Sequence, residues 1–293
     1  MRLSWFDLVE FISFLGYPTE IDAGCFQLLA LQGCRAEVVI PASGDAPPYV
    51  VLEVIKNVPD RYNDLLICVG RHEDGTLFID PLVGTVDPGL YYTRTDPNPL
   101  GAANLTYGQH RYKPGPHHGR PAFRSVNELN RVWRDADGDF RLDPEEQIYV
   151  GQFGTNIHPG GKTDIIGKWS AGCLNVAGGW EGAAWLRLQA YASVHFQHKG
   201  ELLVTLWRAN DLRAWAQSDR VHFRPTVYPG VFGPWAREVQ KALQRHGARI
   251  QVDGDWRGGT TKLLVAFQKA HGLVQDGIAG PTTWSYLLPA SLA

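Results

Sequence analysis

Six short stretches in the first 217 residues are apolar or alternate apolar with polar: FQLLALQ, YVVLEVI, LLICVG, TLFIDPL, QIYVGQF and ELLVTLW. Gly, Pro, Asn and Asp separate them, a pattern of strands joined by turns. One stretch departs from it: WEGAAWLRLQAYASVHF, residues 180–196, predicts a helix. The segment SDRVHFRPTVYPGVFGP then carries three prolines and two glycines and predicts a domain boundary. Beyond it the periodicity becomes helical. PWAREVQKALQRHG places Val239, Ala242 and Leu243 at helical spacing between Pro234 and Gly247. TTKLLVAFQKAHG repeats that design with Leu264, Phe267 and Gly272, and GPTTWSYLL begins a third short helix after Gly280. Turns at Asp253-Gly254 and Asp276-Gly277 would close these helices into a bundle. The expected class is α+β: a mainly β domain with an accessory helix over 1–217, a linker over 218–233, and a small three-helix bundle over 234–289.

Composition narrows the partners. The chain has 293 residues, 44% hydrophobic and 20% charged, enough for two domains with cores of their own. Its net charge of -2 and the absence of a basic block argue against nucleic acid. No apolar run approaches the ~20 residues of a membrane helix. The N-terminal MRLSWFDLVEFISFLGYP is interrupted by Asp7 and Glu10 and lacks a basic start and a small-residue cleavage site, so no signal peptide is read. Synthesis in the cytoplasm without Sec export, as a monomer, is the expectation. Of the four cysteines, Cys25, Cys34, Cys68 and Cys173, none belongs to a CxxC, and reduced thiols are the simplest account. Whether Cys25 meets Cys34 is open at this level.

The chemistry concentrates in NIHPGGKTDIIGKWSAGCLNV, residues 156–176. A thiol becomes a nucleophile as its thiolate, and an imidazole can take that proton and return it to a leaving amine. Cys173 and His158 are the residues for that exchange. Gly172 would let backbone N–H groups approach a substrate carbonyl, Ser170 could orient either partner by hydrogen bonding, and small residues at 170–172 leave room beside the sulfur. The competing reading of Cys173 is a buried small hydrophobe.

The order His158…Ser170-Ala-Gly-Cys173-Leu-Asn175 resembles the active-site signature of the L,D-transpeptidases, with Asn175 matching the variant that carries Asn after the cysteine. Two positions depart from the family pattern. Ala171 stands where many members have a second histidine, and Pro159 where glycine or serine is common. The resemblance covers about residues 150–177. It implies an L,D-transpeptidase-like catalytic domain in which Cys173 attacks the carbonyl of the L-centre of a stem-peptide diamino acid and expels the following D-residue. It also implies that His158 serves as base and then acid and that the Pro159 carbonyl fixes its tautomer. The run VQKALQRHG…VDGDWRGGTTKLLVAFQKAHGLVQDGIAGPTTWSYL, within about 228–289, resembles the peptidoglycan-binding repeat domain of wall enzymes, and this implies adhesion to murein.

Other polar clusters offer other readings. HPGGKTD is similar to a zinc D,D-peptidase pattern, but Asp164 comes one residue early and Asn156 replaces the expected serine. His195 and His198 suit the C-terminal dipole of the predicted helix better than a zinc site. His110, His117 and His118 fall in YGQHRYKPGPHHGR, a Gly/Pro-rich loop that either lines the cleft or is solvated. DADGDFRLDPEE sets Asp135, Asp137, Asp139, Asp143 and Glu146 at loop positions 1, 3, 5, 9 and 12, which suits a structural Ca²⁺ outside the EF-hand pattern, because Phe140 stands where that loop needs glycine. A solvated acidic turn is the alternative. No cofactor is required for the chemistry.

Together these readings predict a murein-acting cysteine enzyme, an endolysin-like hydrolase cleaving stem-peptide or cross-link bonds at the cell wall after release, and held to its polymer by the C-terminal bundle. The alternatives are an L,D-transpeptidase that cross-links or exchanges D-amino acids, or a non-catalytic wall-binding virion protein.

Overall fold

FQLLALQ and LLICVG are apolar at nearly every position because both faces of their strands are covered in the computed structural model, which describes residues 1–44, 46–95, 98–126 and 130–288. The chain opens with β1 (Arg2–Ser4) and α1 (Trp5–Phe14), followed by β2 (Phe26–Gln32), β3 (Cys34–Ile40), β4 (Tyr49–Val54), β5 (Asp64–Arg71) and β6 (Leu77–Thr85). A short helix α2 (Leu90–Thr95) leads to β7 (Ala102–Leu105), the hairpin β8 (Gly108–His117) and β9 (Arg120–Ser125), and the pair β10 (Asn130–Asp135) and β11 (Tyr149–Gly151). Next come β12 (Ile157–Pro159) and β13 (Leu174–Val176), then α3 (Ala183–His198), β14 (Leu202–Arg208) and α4 (Ala209–Gln217). The last elements are α5 (Pro234–Arg245), α6 (Gly258–Ala270) and α7 (Pro281–Leu287).

Eight strands close a barrel in the order β12-β13-β6-β5-β2-β14-β8-β9, with β9 meeting β12 again through Phe123 and Ile157. Two smaller sheets, β1-β4-β3 and β11-β10-β7, flank it. Because side chains alternate along a strand, β2 and β5 feed two cores at once. Leu28, Ala30, Leu66 and Cys68 join Trp185, Leu188 and Ala192 of α3. Leu29, Leu31, Ile67 and Val69 join Leu8, Phe11 and Ile12 of α1, Trp215 of α4 and the C-terminal helices. Each leucine, isoleucine, valine or phenylalanine among them contributes roughly 1.5–3 kcal/mol by leaving water.

All six apolar runs carry strands, and residues 180–196 contain most of α3. Within the first 217 residues one segment differs from its sequence reading. YGQHRYKPGPHHGR is not a loop. It builds most of β8 and the turn into β9, with Tyr112 opposite Ser125 and His117 opposite Arg120. Pro114 and Pro116 hide the strand, since proline cannot donate to a ladder. The N-terminal apolar stretch is α1, started by a capping box in which the Ser4 hydroxyl accepts from Asp7 N–H and the Asp7 carboxylate accepts from Ser4 N–H. Among the described residues no helix is long and apolar enough to cross a membrane.

The three C-terminal helices form where their periodicity places them; Pro289, the last residue assigned to the bundle from sequence, lies outside the described residues. Two buried glutamines explain why a helical glutamine and a following DG recur together in the bundle. Gln240 accepts from Gly254 N–H and donates to the Asp253 carboxylate. Gln268 does the same for Gly277 and Asp276. Residues 218–233 pack firmly between barrel and bundle: Val227, Tyr228 and Val231 are buried, and Val227 bridges Ala279. Trp235 Nε1 donates to Phe14 O at 2.9 Å, and Trp284 Nε1 donates to Pro225 O at 2.9 Å. Arg131 and Asp255 add an ion pair at 3.2 Å that is largely shielded from water.

Candidate active site

β12 and β13 run parallel and adjacent, which sets His158 beside Asn175 although 17 residues separate them. Leu174 N–H donates to Asn156 O, so the register is locked one residue after Cys173. The cysteine turn is held from inside. Ser170 Oγ donates to Cys173 O at 2.7 Å and accepts Gly172 N–H at 3.1 Å, while Gly89 N–H donates to Ser170 O. Gly172 has φ 125, and a Cβ there would sit 2.1 Å from Ala103 O, so glycine is required for the turn to pass β7. This changes the role expected of Gly172. Its own N–H is taken by Ser170, and the Cys173 N–H, which has no acceptor among the described residues, is the backbone donor left for a substrate oxygen.

His158 is buried, and its Nδ1 lies 3.0 Å from Pro159 O. Nδ1–H therefore donates to that carbonyl, and the lone pair is on Nε2. Burial lowers the His158 pKa to about 4, against the favourable Pro159 contact, with His117 and His118 lowering it further. Cys173 is 7% exposed, and burial pushes its thiol up to about 11. At neutral pH the resting pair is thus thiol and neutral imidazole. One His158 nitrogen, one His117 nitrogen and the Cys173 sulfur lie within 4.8 Å of one another. The Cys173 sulfur also lies 3.5 Å from Gly154 O, an acceptor for the resting thiol. The Asn175 amide nitrogen lies 3.3 Å from Nε2, within reach of its lone pair, and 3.5 Å from the protonated Nδ1 of His158. Its Oδ1 is buried without a partner among the described residues.

Two rings lie nearly parallel to His158. His117 lies on one side with centroids 4.3 Å apart and planes 12° apart, and Trp180 lies at 6.4 Å, also at 12°. Asn156 fixes His117: its Oδ1 accepts Ser125 N–H, so its Nδ2 is the donor to His117 Nδ1 at 3.0 Å. Nearly parallel stacked rings lie in separate planes, and a metal ion binds in the plane of each imidazole it meets, so His117 and His158 cannot both ligate one ion with Cys173 unless a ring turns. The cleft over these residues has a volume of about 290 Å³ and is lined also by Tyr92, His118, Arg120, Lys168, Trp169 and Trp180. Larger hollows exist elsewhere among the described residues, and this one contains a thiol and an imidazole together. Sequence reasoning left His117 and His118 undecided and missed Arg120, Lys168, Trp169 and Trp180. Their one signal was the HHGR tip of what looked like a loop.

His195, His198 and His110 are engaged elsewhere. His195 accepts Phe26 N–H at Nδ1 and donates from Nε2 to Glu201 O, so it joins α3 to β2 and has no lone pair for zinc. His198 faces Glu73 at 3.8 Å, and His110 is buried against Thr106 O. All four cysteines are free, Cys25 and Cys34 included.

The acidic loop joins β10 to β11. Asp135, Asp137 and Asp139 each offer an oxygen within 4.8 Å of the others. Asp135 Oδ1 accepts from Gly138 and Asp139 N–H and its Oδ2 from Phe140 N–H, while Glu146 accepts from Ala136 and Asp143 N–H. Phe140 adopts φ 64, the left-handed conformation that glycine takes readily, at a cost of roughly 1–2 kcal/mol. The donor set is all oxygen and suits a hard cation such as Ca²⁺.

Comparison with known proteins bears on the C-terminal part. Residues 233–287 match the family described as "Putative peptidoglycan binding domain", which agrees with the reading of the bundle. No curated protein matches the chain. Among solved structures, the crystal structure of the Burkholderia AP3 phage endolysin is 44% identical over 21% of this chain, with a TM-score of 0.21. The match covers 24% of that endolysin chain, about a quarter of its length. The C-terminal bundle therefore carries the sequence pattern and the helical build of a peptidoglycan-binding domain.

Proposed function

We propose that this chain is a murein-acting cysteine enzyme, an endolysin-like hydrolase that cuts stem-peptide or cross-link bonds at the cell wall. The observation that carries the reading is a thiol and an imidazole sharing one open cleft, the imidazole already in the tautomer a base needs, in a chain whose residues 233–287 match a peptidoglycan-binding domain. Cys173 Sγ attacks the scissile carbonyl carbon as its proton passes to His158 Nε2. The Cys173 N–H donates to the oxygen as negative charge develops there. The C–N bond then breaks, the leaving amine takes the proton from His158, and a thioester remains. Water attacks the thioester with His158 again as base, releasing the acid and restoring the thiol. Ser170 and Gly172 position the sulfur, and Asn175 packs against the base. Arrival of substrate displaces water and brings a polar carbonyl to a neutral pair, so proton transfer accompanies attack.

The test is digestion of purified muropeptides by the full chain and by Cys173→Ala, with products identified by mass. Loss of a terminal D-residue or severed cross-links, absent with the variant, is the expected result. Exchange of D-amino acids would make the chain a transpeptidase instead. Unchanged muropeptides together with retained murein binding would make it a wall-binding protein. We further propose that Asp135, Asp137, Asp139, Asp143 and Glu146 hold a structural Ca²⁺. The mutual approach of the first three supports this.

A further inference from the structure

The cleft around Cys173 has a charge bias that acid–base chemistry does not need. Arg120 and Lys168 line it, and no carboxylate does. Elsewhere the chain pairs its cations, as Arg61 with Asp164, Arg187 with Asp80 and Arg220 with Asp7. Arg120 and Lys168 form no ion pair among the described residues. Each is held over a ring instead: the Arg120 guanidinium carbon lies 5.1 Å from the Trp180 centroid and Lys168 Nζ lies 4.3 Å from the Tyr91 centroid. A ring face steadies a cation while leaving its N–H groups free for a ligand.

The two cations come from different walls. Arg120 is the register partner of His117, whose ring lies on the base, so its place is tied to His158. Lys168 belongs to the segment that carries the nucleophile, two residues before Ser170, and rests against α2. A peptide threading this cleft passes both. We propose that Arg120 and Lys168 form a carboxylate clamp that selects stem peptides whose D-glutamate and diamino-acid carboxyls are free rather than amidated. This rests on the reading of the site as murein-acting. Arginine takes a carboxylate through two parallel N–H donors, and lysine takes one as a point charge, whereas a carboxamide offers neither cation a charge.

The experiment uses the full chain and two synthetic stem tetrapeptides, one with those carboxyls free and one with both as carboxamides. Binding is measured by calorimetry on Cys173→Ala, which separates recognition from turnover, and hydrolysis is followed by mass on the unaltered chain. The expected result is at least tenfold tighter binding of the free-carboxyl peptide, falling as salt rises, and a preference reduced to within twofold by adding Arg120→Gln and Lys168→Gln. Equal binding of the two peptides overturns the clamp, as does a preference that survives in the double variant. A binding preference with no hydrolysis of either peptide by the unaltered chain upholds the clamp and overturns cleavage within the stem peptide.

Discussion

The His117 ring lies flat on the His158 ring, with centroids 4.3 Å apart and planes 12° apart, although the two residues come from different parts of the barrel. The contact keeps water off the base and places a second imidazole against it. Burial is the main cause of the low His158 pKa, and His117 is a smaller one. His117→Ala removes both influences on that face, so the His158 titration should move up from about 4 toward 6.5 in an NMR pH series. His117→Phe keeps a ring there and should leave the titration low. Because the folded-state value lies below the unfolded one, neutral burial of His158 contributes stability above pH 6.5 that is lost as pH falls toward 4, on the order of 3 kcal/mol in all. Denaturant midpoints measured across that window should fall, and His158→Phe should flatten the fall.

The resting thiol leads to an expectation about labelling that differs from a thiolate–imidazolium pair. With its pKa pushed up to about 11 by burial, Cys173 is thiolate in roughly one molecule in ten thousand at pH 7. Iodoacetamide should label it slowly there, with a rate rising about tenfold for each pH step toward 11. It should still be labelled first, because Cys25, Cys34 and Cys68 are no more than 1% exposed. Peptide mass mapping across pH reads both results. A labelling rate already level below pH 8 would show a preformed ion pair and remove the neutral-dyad mechanism.

Local signals were legible and cross-strand ones were not. Four strands of the barrel, β2, β5, β6 and β14, together with α3 and the three C-terminal helices, follow from apolar periodicity, which depends on each segment alone. His158, Cys173, Ser170 and Gly172 are found together because a single turn and one parallel pairing bring them there, and their short motif reports that turn. His117 and Arg120 reach the site only through the β8–β9 register, and prolines at 114 and 116 erase the alternation that would have shown it. The role of Gly172 is likewise invisible in sequence, since what excludes a side chain there is Ala103 O on β7.

The acidic loop gives a separate test by ion removal. Several carboxylates gathered without a cation repel one another; Glu146 is raised to about 7, mainly by burial, with Asp135 and Asp143 adding to it. Calcium bound to the folded chain alone should raise the melting temperature as its concentration passes the Kd, and chelation should reverse the rise. Asp137→Asn and Asp139→Asn together should abolish the response. A melting temperature indifferent to calcium would identify a self-supported turn, held by the backbone N–H groups that Asp135 and Glu146 already bind.

Tethering by a flexible linker would let barrel and bundle melt separately, and the packing predicts otherwise. Phe14 of α1 stacks near Trp215, Phe223 and Trp235, with centroids 6.1, 5.8 and 5.1 Å away, so one aromatic cluster spans both parts. A chain ending near residue 225 would lose Val227, Tyr228, Val231 and the helices that cover α1, leaving Phe14 and its neighbours in water. Calorimetry should therefore show a single transition for the full chain. Trp235→Ala, which removes a large apolar surface and the bond to Phe14 O, should lower that whole transition by roughly 3 kcal/mol of stability rather than melt the bundle alone. The truncated chain should expose apolar surface to dye and lose activity on soluble muropeptides as well as on intact sacculi. Two well-separated transitions, with full activity of the truncated chain on soluble muropeptides, would restore the flexible tether and make the aromatic cluster incidental to folding.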